Sequence, residues 1–534
     1  MENRVPSGTV KLCEQMELLE FPDKFLIRSL DSTNQAFSIG RSNGSIDTQI
    51  GDSCSGSPSK VSKIYGVVGT IQLLAGTYVL IITSRTEAGT YLGFPIFRIT
   101  AMKFLSCNEA LKLSTSQEKR DEAYFMSLLR TVESTPGLYY SYEIDLTLNI
   151  QRTVKLTDER ANKPLWKRAD PRFVWNKNLL EELIECKLDP FIIPLVQGSF
   201  QTVQFTLKDA PAKITLISRR CTRRLGTRMW RRGANLEGDA ANFIETEQLL
   251  ELEGFKSSFL LHGDEGQLSM AFSAEVQKLP RVRYVSFDFH HHCGNSNLDN
   301  LQLLYDQISK DFEKQGYCLV DSEGEILAEQ KGIVRVNCID CLDRTNVTQI
   351  YLARESLNSQ LRKIGALSST ECISKFCEIY EKFKTIWVEQ GDEISLEYSG
   401  THAMKSDFVR FGRQTLLGLI KDGMTGLSRY YLNNFHDGIR QDAMDLISGH
   451  YTVNFNGPSP FQMNEFESFS YLPVASALLV GGLTLTSFTL NQGGRNAQHF
   501  VSSVLWAGLT AGVVVVVKAN GRQLCSRPRL CGLL

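Results

Sequence analysis

Two long uncharged segments near the C-terminal end restrict most strongly how this chain can fold. Residues 470–490 carry no charged side chain over 21 positions, and residues 500–517 carry none over 18. A helix of about 20 apolar residues spans a bilayer, and about 17 is the lower limit. The pattern therefore predicts two transmembrane helices, and a pair of helices buried in a protein core is the alternative.

The flanks of these segments predict how they are oriented. The connection at 491–499 is short, so the two helices form a hairpin whose ends lie on the same side of the membrane. The tail at 518–534 carries four basic residues: Lys518, Arg522, Arg527 and Arg529. Basic flanks stay on the cytoplasmic side. We therefore expect a transmembrane hairpin at 470–517, a basic cytosolic tail and a large cytosolic N-terminal portion.

The composition agrees with a cytosolic location of that portion. Thirteen cysteines, an odd number, occur without a repeated spacing, which is unlike the disulfide framework of a secreted domain. The first residues lack the basic start and apolar run of a signal peptide. At 534 residues the chain is too long for one ordinary domain. Its 58 basic and 59 acidic residues balance, so nucleic acid is not an expected partner.

The stretch VRVNCIDCLDRTNVTQ at 334–349 has the pattern of an anion-binding loop. The β-branched residues Ile333, Val334 and Val336 predict a strand, and a helical pattern begins near Thr345. A tight loop between a strand and a helix N-terminus directs backbone N–H groups and the helix dipole at an anion. The stretch therefore predicts a phosphate site.

Cys338 and Arg344 have the chemistry that such a site needs. A field that holds a phosphate also lowers the pKa of a thiol, so Cys338 would act as a thiolate that attacks phosphorus and forms a cysteinyl-phosphate. Arg344 offers a planar fork for two phosphate oxygens. The leaving alkoxide needs a proton donor, and Asp340 is preferred over Asp343 for this role. The Thr345 hydroxyl would assist departure of the sulfur, and no metal is needed.

Other interpretations of these residues stay open at this point. A bare Cys-x5-Arg pairing arises by chance about once in a chain this rich in cysteine and arginine. The pair Cys338 and Cys341 could be half of a zinc site, but no second Cys-x2-Cys occurs in the sequence. The run HHHC at 290–293 also suggests metal ligands. However, the stretch RVRYVSFDFH at 281–290 predicts a strand. Neighbouring residues of a strand point to opposite faces, so we predict no metal site there.

The stretch NCIDCLDRTNVTQ resembles the SAC-domain phosphoinositide phosphatases, specifically the membrane-anchored suppressor-of-actin type in its plant-like form. The likeness extends from about residue 63 to the C-terminal hairpin. Further segments that resemble family signatures are KRADPRFVWN (167–176), NFIETEQ (242–248), FDFHHHC (287–293), DNLQLLYDQI (299–308), YSGTHAMKSDFVRFGRQTLLGLIKDG (398–423) and RYYLNNFHDGIRQDAMDL (429–446).

This resemblance implies an α/β fold and a lipid substrate. It implies a β-rich N-terminal lobe at 1–150, an α/β catalytic lobe with the Cys-x5-Arg loop at 151–455, and a juxtamembrane linker at 456–469 before the transmembrane hairpin. The implied reaction removes phosphate from phosphatidylinositol monophosphates, chiefly the 4-phosphate, without a cofactor. The implied location is the endoplasmic reticulum or Golgi membrane, and no protein partner is predicted.

The resemblance also implies roles for residues of the loop and of a second segment. Cys338 is implied as the nucleophile and Arg344 as the phosphate binder. Asp340 and Asp343 are implied as loop acids whose division of labour stays open. The other residues that we predict to contact the phosphate or head group are Asn337, Ile339, Cys341, Leu342, Thr345, Asn346, Lys405 and Arg410, together with Arg413.

Seven arginines occur close together in SRRCTRRLGTRMWRR at 218–232. A basic residue near an anionic leaflet adds about 1 kcal/mol of membrane attraction, so the preferred interpretation is a surface that faces the membrane. A solvated or RNA-binding surface is the alternative. The seven are Arg219, Arg220, Arg223, Arg224, Arg228, Arg231 and Arg232.

The likeness to the family breaks after Leu260. The family pattern expects a Gln-x-Arg-Gly-Ser-Ile-Pro-like stretch, a tryptophan, and a further strand and helix. Here the chain continues directly with LHGDEGQLSMAFSAEVQ at 261–277. Loss of a buried strand opens a sheet edge and removes apolar contacts. We therefore predict reduced stability and weak or absent catalysis. A lipid-binding or scaffolding isoform and a protein tyrosine phosphatase are the alternative functions.

Overall fold

The computed structural model describes most of the chain. The described residues are 11–32, 35–48, 57–107, 115–156, 158–235, 239–252, 254–265, 282–293, 298–338, 343–454, 459, 461, 472–492, 497–524 and 526–530. They form a mixed α/β structure with a small N-terminal sheet, a larger sheet and helices. The predicted α/β class and the β-rich N-terminal region are therefore confirmed.

The small sheet is antiparallel throughout. Its strands are β1 (Met16–Glu20), β2 (Lys24–Ser29), β3 (Ala36–Gly40), β4 (Ile46–Asp47) and β5 (Lys60–Ile64), in the order β4-β3-β2-β1-β5. Buried residues alternate with more exposed ones in β3, where Phe37 and Ile39 are fully buried. Alternation of this kind places one face of a sheet on the core.

The larger sheet contains strands from both sides of residue 150. They are β6 (Gly66–Leu73), β7 (Gly76–Tyr91), β8 (Phe94–Ser106), β9 (Leu138–Tyr140), β10 (Val196–Leu207), β11 (Ala210–Arg220), β12 (Ile244–Leu252), β13 (Phe255–Glu265), β14 (Cys318–Asp321) and β15 (Ile326–Ala328). Each pairs antiparallel with its neighbour in the order β15-β14-β13-β12-β11-β10-β9-β8-β7-β6. One further strand, β16 (Val334–Cys338), pairs parallel with β13.

The helices correspond to the periodic segments of the sequence. They are α1 (Ser116–Glu133), α2 (Ile150–Val154), α3 (Asp158–Ala161), α4 (Leu165–Arg168), α5 (Glu181–Glu185), α6 (Phe289–Cys293), α7 (Leu301–Gln315), α8 (Asp343–Lys363), α9 (Cys377–Ser399), α10 (Ser406–Phe411), α11 (Leu416–Phe435), α12 (Asp437–Ile447), α13 (Leu472–Gln492) and α14 (Ala497–Leu524). Short 3₁₀ turns lie at Lys177–Leu180, Asp189–Phe191, Leu298–Asn300 and Ile373–Lys375. The helical pattern that we predicted to begin near Thr345 lies within α8.

Helices α8 and α9 pack on one face of the larger sheet and close the core that supports the predicted phosphate loop. Leu357 of α8 and Trp387 of α9 are fully buried in this core with Leu216 of β11. The Trp387 indole N–H donates a hydrogen bond of 3.1 Å to the Gln248 side chain on β12. A buried indole that finds an acceptor avoids an unpaired donor in the core.

The sheet remains paired at the predicted break after Leu260. Strand β13 continues through Leu260 without interruption. Its first residues pair with β14, from Phe255 opposite Asp321 to Ser258 opposite Cys318. Residues 261–265 pair in parallel with β16, up to Glu265 opposite Cys338. The edge of β13 that we expected to be open is therefore occupied, and it holds the strand that leads into the predicted phosphate loop.

The C-terminal uncharged segments form two packed helices, α13 and α14. The Ser503 hydroxyl donates to Thr489 Oγ1 at 2.8 Å. A Cβ atom on Gly482 would lie 2.3 Å from Thr510 Oγ1, so the helices approach closely at this glycine. Across the described part of the chain, no helix combines the length and the apolarity that crossing a membrane requires. The predicted hairpin of helices is thus present, while its transmembrane character is not confirmed.

The predicted strand before HHHC is wrong. Residues 282–288 form no strand, and Phe289–Cys293 is the short helix α6. The opposite-face argument therefore does not apply to these histidines. The imidazole of His292 instead stacks on Phe287, with ring centroids 4.9 Å apart.

The membrane-facing orientation predicted for the arginine cluster is wrong for its first two members. Arg219 and Arg220 are buried. Arg219 donates to the Glu247 carboxylate at 2.8 Å and to the backbone oxygen of Leu146 at 2.6 Å. Arg220 donates to Asn242 Oδ1 at 2.6 Å. Buried charges persist in folded proteins when they are paired in this way, so these two arginines hold the interior together.

Candidate active site

The predicted phosphate loop connects β16 to α8. Strand β16 ends at Cys338, the next four residues form the connection, and α8 begins at Asp343. The helix therefore starts two residues before the predicted position near Thr345. The helix has 21 residues, and its N-terminus places the first-turn N–H groups and the positive end of the helix dipole at the end of the loop. This arrangement is the strand, loop and helix that an anion site needs.

The chemistry of the loop itself lies outside the described residues. Ile339, Asp340, Cys341 and Leu342 are not described, and for Asn337 and Cys338 only the strand backbone is described. The nucleophile, the preferred acid and the main-chain phosphate contacts therefore stay predictions. What the structure does show is the framework immediately after the loop.

Asp343 is fixed by two partners at the start of α8. Its Oδ1 accepts a hydrogen bond of 2.7 Å from the backbone N–H of Met404, and its Oδ2 lies 3.5 Å from Arg429 Nη1. Only 17% of the Asp343 side chain is exposed. Both contacts use the carboxylate oxygens as acceptors. Asp343 thus joins the first turn of α8 to the segment that carries Lys405.

Two further carboxylates hold the same segment. The backbone N–H of Ala403 donates to Asp392 Oδ1 at 2.9 Å, and that of Lys405 donates to both oxygens of Asp422 at 3.1 and 3.2 Å. Residues 403, 404 and 405 therefore donate in succession to carboxylates from α9, α8 and α11. Hydrogen bonds to charged acceptors are about twice as strong as neutral ones. The segment is consequently held at three adjacent points.

Burial and nearby basic residues have opposing effects on the pKa of the Asp392 carboxyl group. Burial raises the pKa of this carboxyl group, while His402, Lys421 and Arg410 act to lower it. The nearest of these, His402, has Nδ1 at 3.7 Å from Asp392 Oδ2. Sequence reasoning did not select Asp392, because a single aspartate inside a long helix carries no local signal. Asp392 joins the carboxylates that hold the 403–405 segment only because the chain returns to it at residues 402–403.

Arg429 is the second residue that sequence reasoning missed. It is buried, and its guanidinium donates to Thr401 Oγ1 at 3.0 Å, to the backbone oxygen of His402 at 2.9 Å and to Ser395 Oγ at 3.2 Å. With its ion pair to Asp343, it links α8, α9, α11 and the segment at 401–402. An arginine in an apolar helix was the available signal, but the sequence does not show which way it points.

Lys405 stands at the edge of this framework. It adopts a left-handed backbone conformation with φ 65°, which is uncommon for residues with a Cβ atom. Its side chain is exposed, next to the start of α8. The Asp422 contact with its backbone N–H holds this strained conformation. The cation is thereby presented to solvent near the first turn of α8.

The other described residues that we predicted to bind the substrate lie on α8 and around a neighbouring cavity. Thr345 is buried. Asn346 packs against α9, where a Cβ atom on Gly391 would lie 2.2 Å from its Nδ2. Arg410 and Arg413 line a cavity of about 800 Å³ together with Val347 of α8. The structure thus brings Lys405 to the first turn of α8 and places Arg410 and Arg413 along a cavity beside its next turn.

Comparison with known proteins shows to which family these features belong. A family model described as the SacI homology domain matches residues 65–262. The phosphoinositide phosphatase SAC8 of Arabidopsis thaliana is 56% identical over 589 aligned positions that cover 100% of both chains. The chain belongs to the SAC phosphoinositide phosphatase family. The family membership predicted from the sequence, including its plant-like form, is therefore confirmed.

Other SAC phosphatases match almost as completely. The phosphoinositide phosphatase SAC7 of Arabidopsis thaliana is 40% identical, over 97% of this chain and 98% of that protein. The phosphatidylinositol-3-phosphatase SAC1-B of Danio rerio is 32% identical, over 89% of this chain and 91% of that protein. These alignments extend well beyond the loop, so the likeness does not depend on the Cys-x5-Arg spacing.

The alignment with SAC8 also bears on the predicted missing segment. It has 589 positions, whereas this SAC-family chain has 534 residues, so about 55 positions hold no residue of this chain. The match to the SacI homology domain ends at residue 262, immediately after Leu260. Both observations agree with a segment that is absent from this chain.

Proposed function

We propose that this chain is a phosphoinositide phosphatase that hydrolyses phosphatidylinositol monophosphates, chiefly the 4-phosphate. The observation that carries the proposal is that the motif at 334–349 runs from a strand into the N-terminus of a long helix, in a chain of this family. An anion site of that kind suits the phosphate, and the cysteine within it suits nucleophilic attack. The proposed chemistry uses no metal ion.

The reaction proceeds in two displacements. The Cys338 thiolate attacks phosphorus, an S–P bond forms, and the P–O bond to the inositol breaks while Arg344 binds two phosphate oxygens. An acid gives the departing inositol oxygen its proton. Water then attacks phosphorus, the S–P bond breaks, and inorganic phosphate and the thiolate are released.

The contacts of Asp343 support a division of labour between the two loop acids. One oxygen of the Asp343 carboxylate accepts from the Met404 N–H, and the other faces Arg429, so both oxygens are already engaged within the protein. Asp343 is therefore suited to positioning α8 against the 403–405 segment rather than to protonating a leaving group. Asp340 is the proposed proton donor, in agreement with the preference drawn from the sequence.

The proposed head-group contacts begin with Lys405. Its exposed ammonium next to α8 suits a second negative group on the substrate, such as the phosphodiester of the lipid. Lys405→Gly removes the charge and keeps the left-handed backbone that Lys405 adopts. We expect a raised KM for the lipid with kcat little changed, because uniform binding is lost.

The proposed location is the endoplasmic reticulum or Golgi membrane, with the catalytic portion in the cytosol and the C-terminal hairpin in the bilayer. Support comes from the uncharged segments 470–490 and 500–517 and from the basic residues after them. Exposed side chains such as Leu483 and Leu505 on the two helices suit a lipid environment. Fractionation and carbonate extraction of the full chain test this assignment.

A second candidate function is a lipid-binding or scaffolding isoform with little activity. It is favoured by the shortage of about 55 aligned positions relative to SAC8 and by the break in family likeness after Leu260. Reinsertion of the corresponding SAC8 segment after Leu260 tests this directly. If the lengthened chain is far more active than the original chain, the result would favour a scaffolding role for the original, shorter chain.

The deciding experiment measures phosphate release from vesicles that contain the phosphatidylinositol 3-phosphate or 4-phosphate. Cys338→Ser is the matched variant, because serine keeps the size of the nucleophile and lacks its acidity. Turnover that is lost in Cys338→Ser supports the enzyme. Equal slow release from both proteins would favour the scaffold, and preference for a phosphotyrosine peptide would favour a protein tyrosine phosphatase.

A further inference from the structure

Helix α11 presents its polar stripe to the protein and its apolar residues to solvent. Gly418, Arg429 and Asn433 are the residues that it buries. Eight large apolar side chains on the rest of its surface are between 51% and 77% exposed: Leu416, Leu417, Leu419, Ile420, Met424, Leu427, Tyr430 and Tyr431. An ordinary surface helix has the opposite arrangement, with its apolar stripe on the core.

The positions of these residues make them one surface. Leu416, Ile420, Met424, Leu427 and Tyr431 have the spacing of three and four residues that aligns side chains along a helix. Soluble monomeric proteins rarely expose a contiguous apolar patch of this kind unless something binds there. The surface thus indicates an interaction partner rather than a solvated helix.

Cations surround the N-terminal end of this surface. Lys405, Arg413 and Lys421 are exposed there, whereas the nearby Asp422 carboxylate is occupied by backbone and side-chain donors. Apolar residues with basic residues beside them suit an anionic phospholipid surface, because the apolar groups enter the interface while the cations attract head groups.

The same helix supports the candidate active site. Arg429 on its inner side faces Asp343 of α8, and Asp422 holds the Lys405 N–H. A partner bound on the outer side of α11 therefore lies against the element that positions the predicted phosphate loop. The basic C-terminal tail also contacts this helix, since the Ser526 N–H donates to the Asn434 backbone oxygen at 2.8 Å.

We propose that the exposed apolar surface of α11 docks into the interfacial region of an anionic bilayer and so seats the phosphate loop at the membrane. The proposal rests on the proposed function only in that the substrate is a membrane lipid. It adds a second membrane contact to the C-terminal hairpin. The hairpin keeps the chain on the membrane, and α11 orients the catalytic portion toward it.

Tryptophan quenching tests the position of this surface directly. The full chain is reconstituted in nanodiscs of phosphatidylcholine and phosphatidylserine with lipids brominated near the head group. Leu427→Trp is compared with Leu327→Trp, whose parent residue on β15 is 55% exposed and lies on a different element. The tryptophan at 427 is expected to show about twofold more quenching than that at 327, because an inserted side chain approaches the brominated interface.

Turnover provides an independent readout. Leu419→Glu places a charge on the docking surface, and Leu327→Glu is the control, since the parent side chains are 56% and 55% exposed. We expect Leu419→Glu to lower turnover of bilayer phosphatidylinositol 4-phosphate about tenfold, the effect of losing one inserted leucine. Turnover of a water-soluble dibutanoyl analogue should stay within about twofold.

The outcomes separate this proposal from its alternatives. Equal quenching at positions 427 and 327 would overturn it. Loss of a dimer in Leu427→Glu, measured by light scattering, would assign the surface to a second copy and also overturn it. If neither substrate is turned over but position 427 is strongly quenched, the docking surface stands and the enzymatic proposal fails.

Discussion

The backbone N–H of Met404 donates a hydrogen bond of 2.7 Å to Asp343 Oδ1, across 61 residues of sequence. This contact closes the segment 403–405 over the first turn of the helix that comes after the predicted phosphate loop. Neighbouring contacts to Asp392 and Asp422 hold the residues on either side. We therefore expect that a substitution that displaces this segment also displaces the phosphate loop and lowers the activity.

Replacement of Asp343 tests this coupling. Asp343→Ala removes the acceptor of the Met404 N–H and leaves the buried Arg429 without this counter-charge. Hydrogen bonds to charged groups contribute about 1.5–3 kcal/mol, so kcat/KM should fall at least about tenfold, and the melting temperature should fall as well. Phosphate release and thermal unfolding are measured together. Asp23→Ala, at an exposed site between β1 and β2, is the control, and unchanged values in Asp343→Ala would contradict the coupling.

The arginine cluster offers a matched pair of substitutions. Arg219 is fully buried and paired with Glu247, whereas Arg223 is 57% exposed and paired with Asp239. Arg219→Met leaves a buried carboxylate without its partner and should lower the free energy of unfolding by about 3–5 kcal/mol. Arg223→Met should change it by less than about 1 kcal/mol. Denaturant unfolding measures both, and similar losses in the two variants would refute the burial argument.

Glu397 predicts a pH dependence of stability. Its carboxyl group is buried, and burial raises its pKa well above the ordinary value, with Glu393 acting in the same direction and Arg220 in the opposite one. Above about pH 4.5 the unfolded chain releases this proton while the folded chain retains it, so stability falls as pH rises toward the folded pKa. Glu397→Gln is neutral at every pH and should reduce this fall.

Thermal unfolding at pH 5, 6.5 and 8 checks this prediction. The Glu397→Gln variant should gain stability relative to the natural chain as pH rises, by about 1–3 kcal/mol at pH 8. Glu87→Gln, at an exposed position on β7, should behave like the natural chain. A Glu397→Gln variant that loses stability equally at all three pH values would mean that the charged form is the native one.

The C-terminal tail makes a defined contact that can be removed. The carboxylate of Asp442 on α12 accepts the backbone N–H groups of Arg529 and Leu530 at 2.8–2.9 Å and the Tyr124 hydroxyl at 2.7 Å. Leu530 is buried in a hydrophobic core together with Phe125 of α1 and Leu446 of α12. Asp442→Ala should therefore lower the free energy of unfolding by about 2–3 kcal/mol and make the tail accessible to protease.

Arg529→Ala separates the main-chain contact from the side-chain contact. It keeps the N–H group that Asp442 accepts and removes only a guanidinium that lies 4.9 Å from the centre of the Tyr124 ring. Its expected loss is about 0.5–1 kcal/mol. If Arg529→Ala and Asp442→Ala are equally destabilising, the Arg529 side chain holds the tail. The explanation by the main-chain hydrogen bonds to Asp442 would then be wrong.

Local patterns in the sequence determined the elements and the family. The β-branched residues before Cys338, the helical spacing after Thr345 and the uncharged segments near the C-terminus each predicted an element that the structure contains. Such features depend on residues that are near each other in the chain, and their periodicity is preserved whatever surrounds them. The motif at 337–349 likewise identified the SAC family from the sequence alone.

Only the tertiary structure decided which charges meet and which surfaces stay open. Arg219 and Arg223 are alike in sequence, yet one is buried and the other exposed. The carboxylates of Asp343, Asp392 and Asp422 converge on three successive N–H groups because three helices end or pass beside one segment. Burial and pairing depend on packing between distant elements, and packing is not encoded in the spacing of any single stretch.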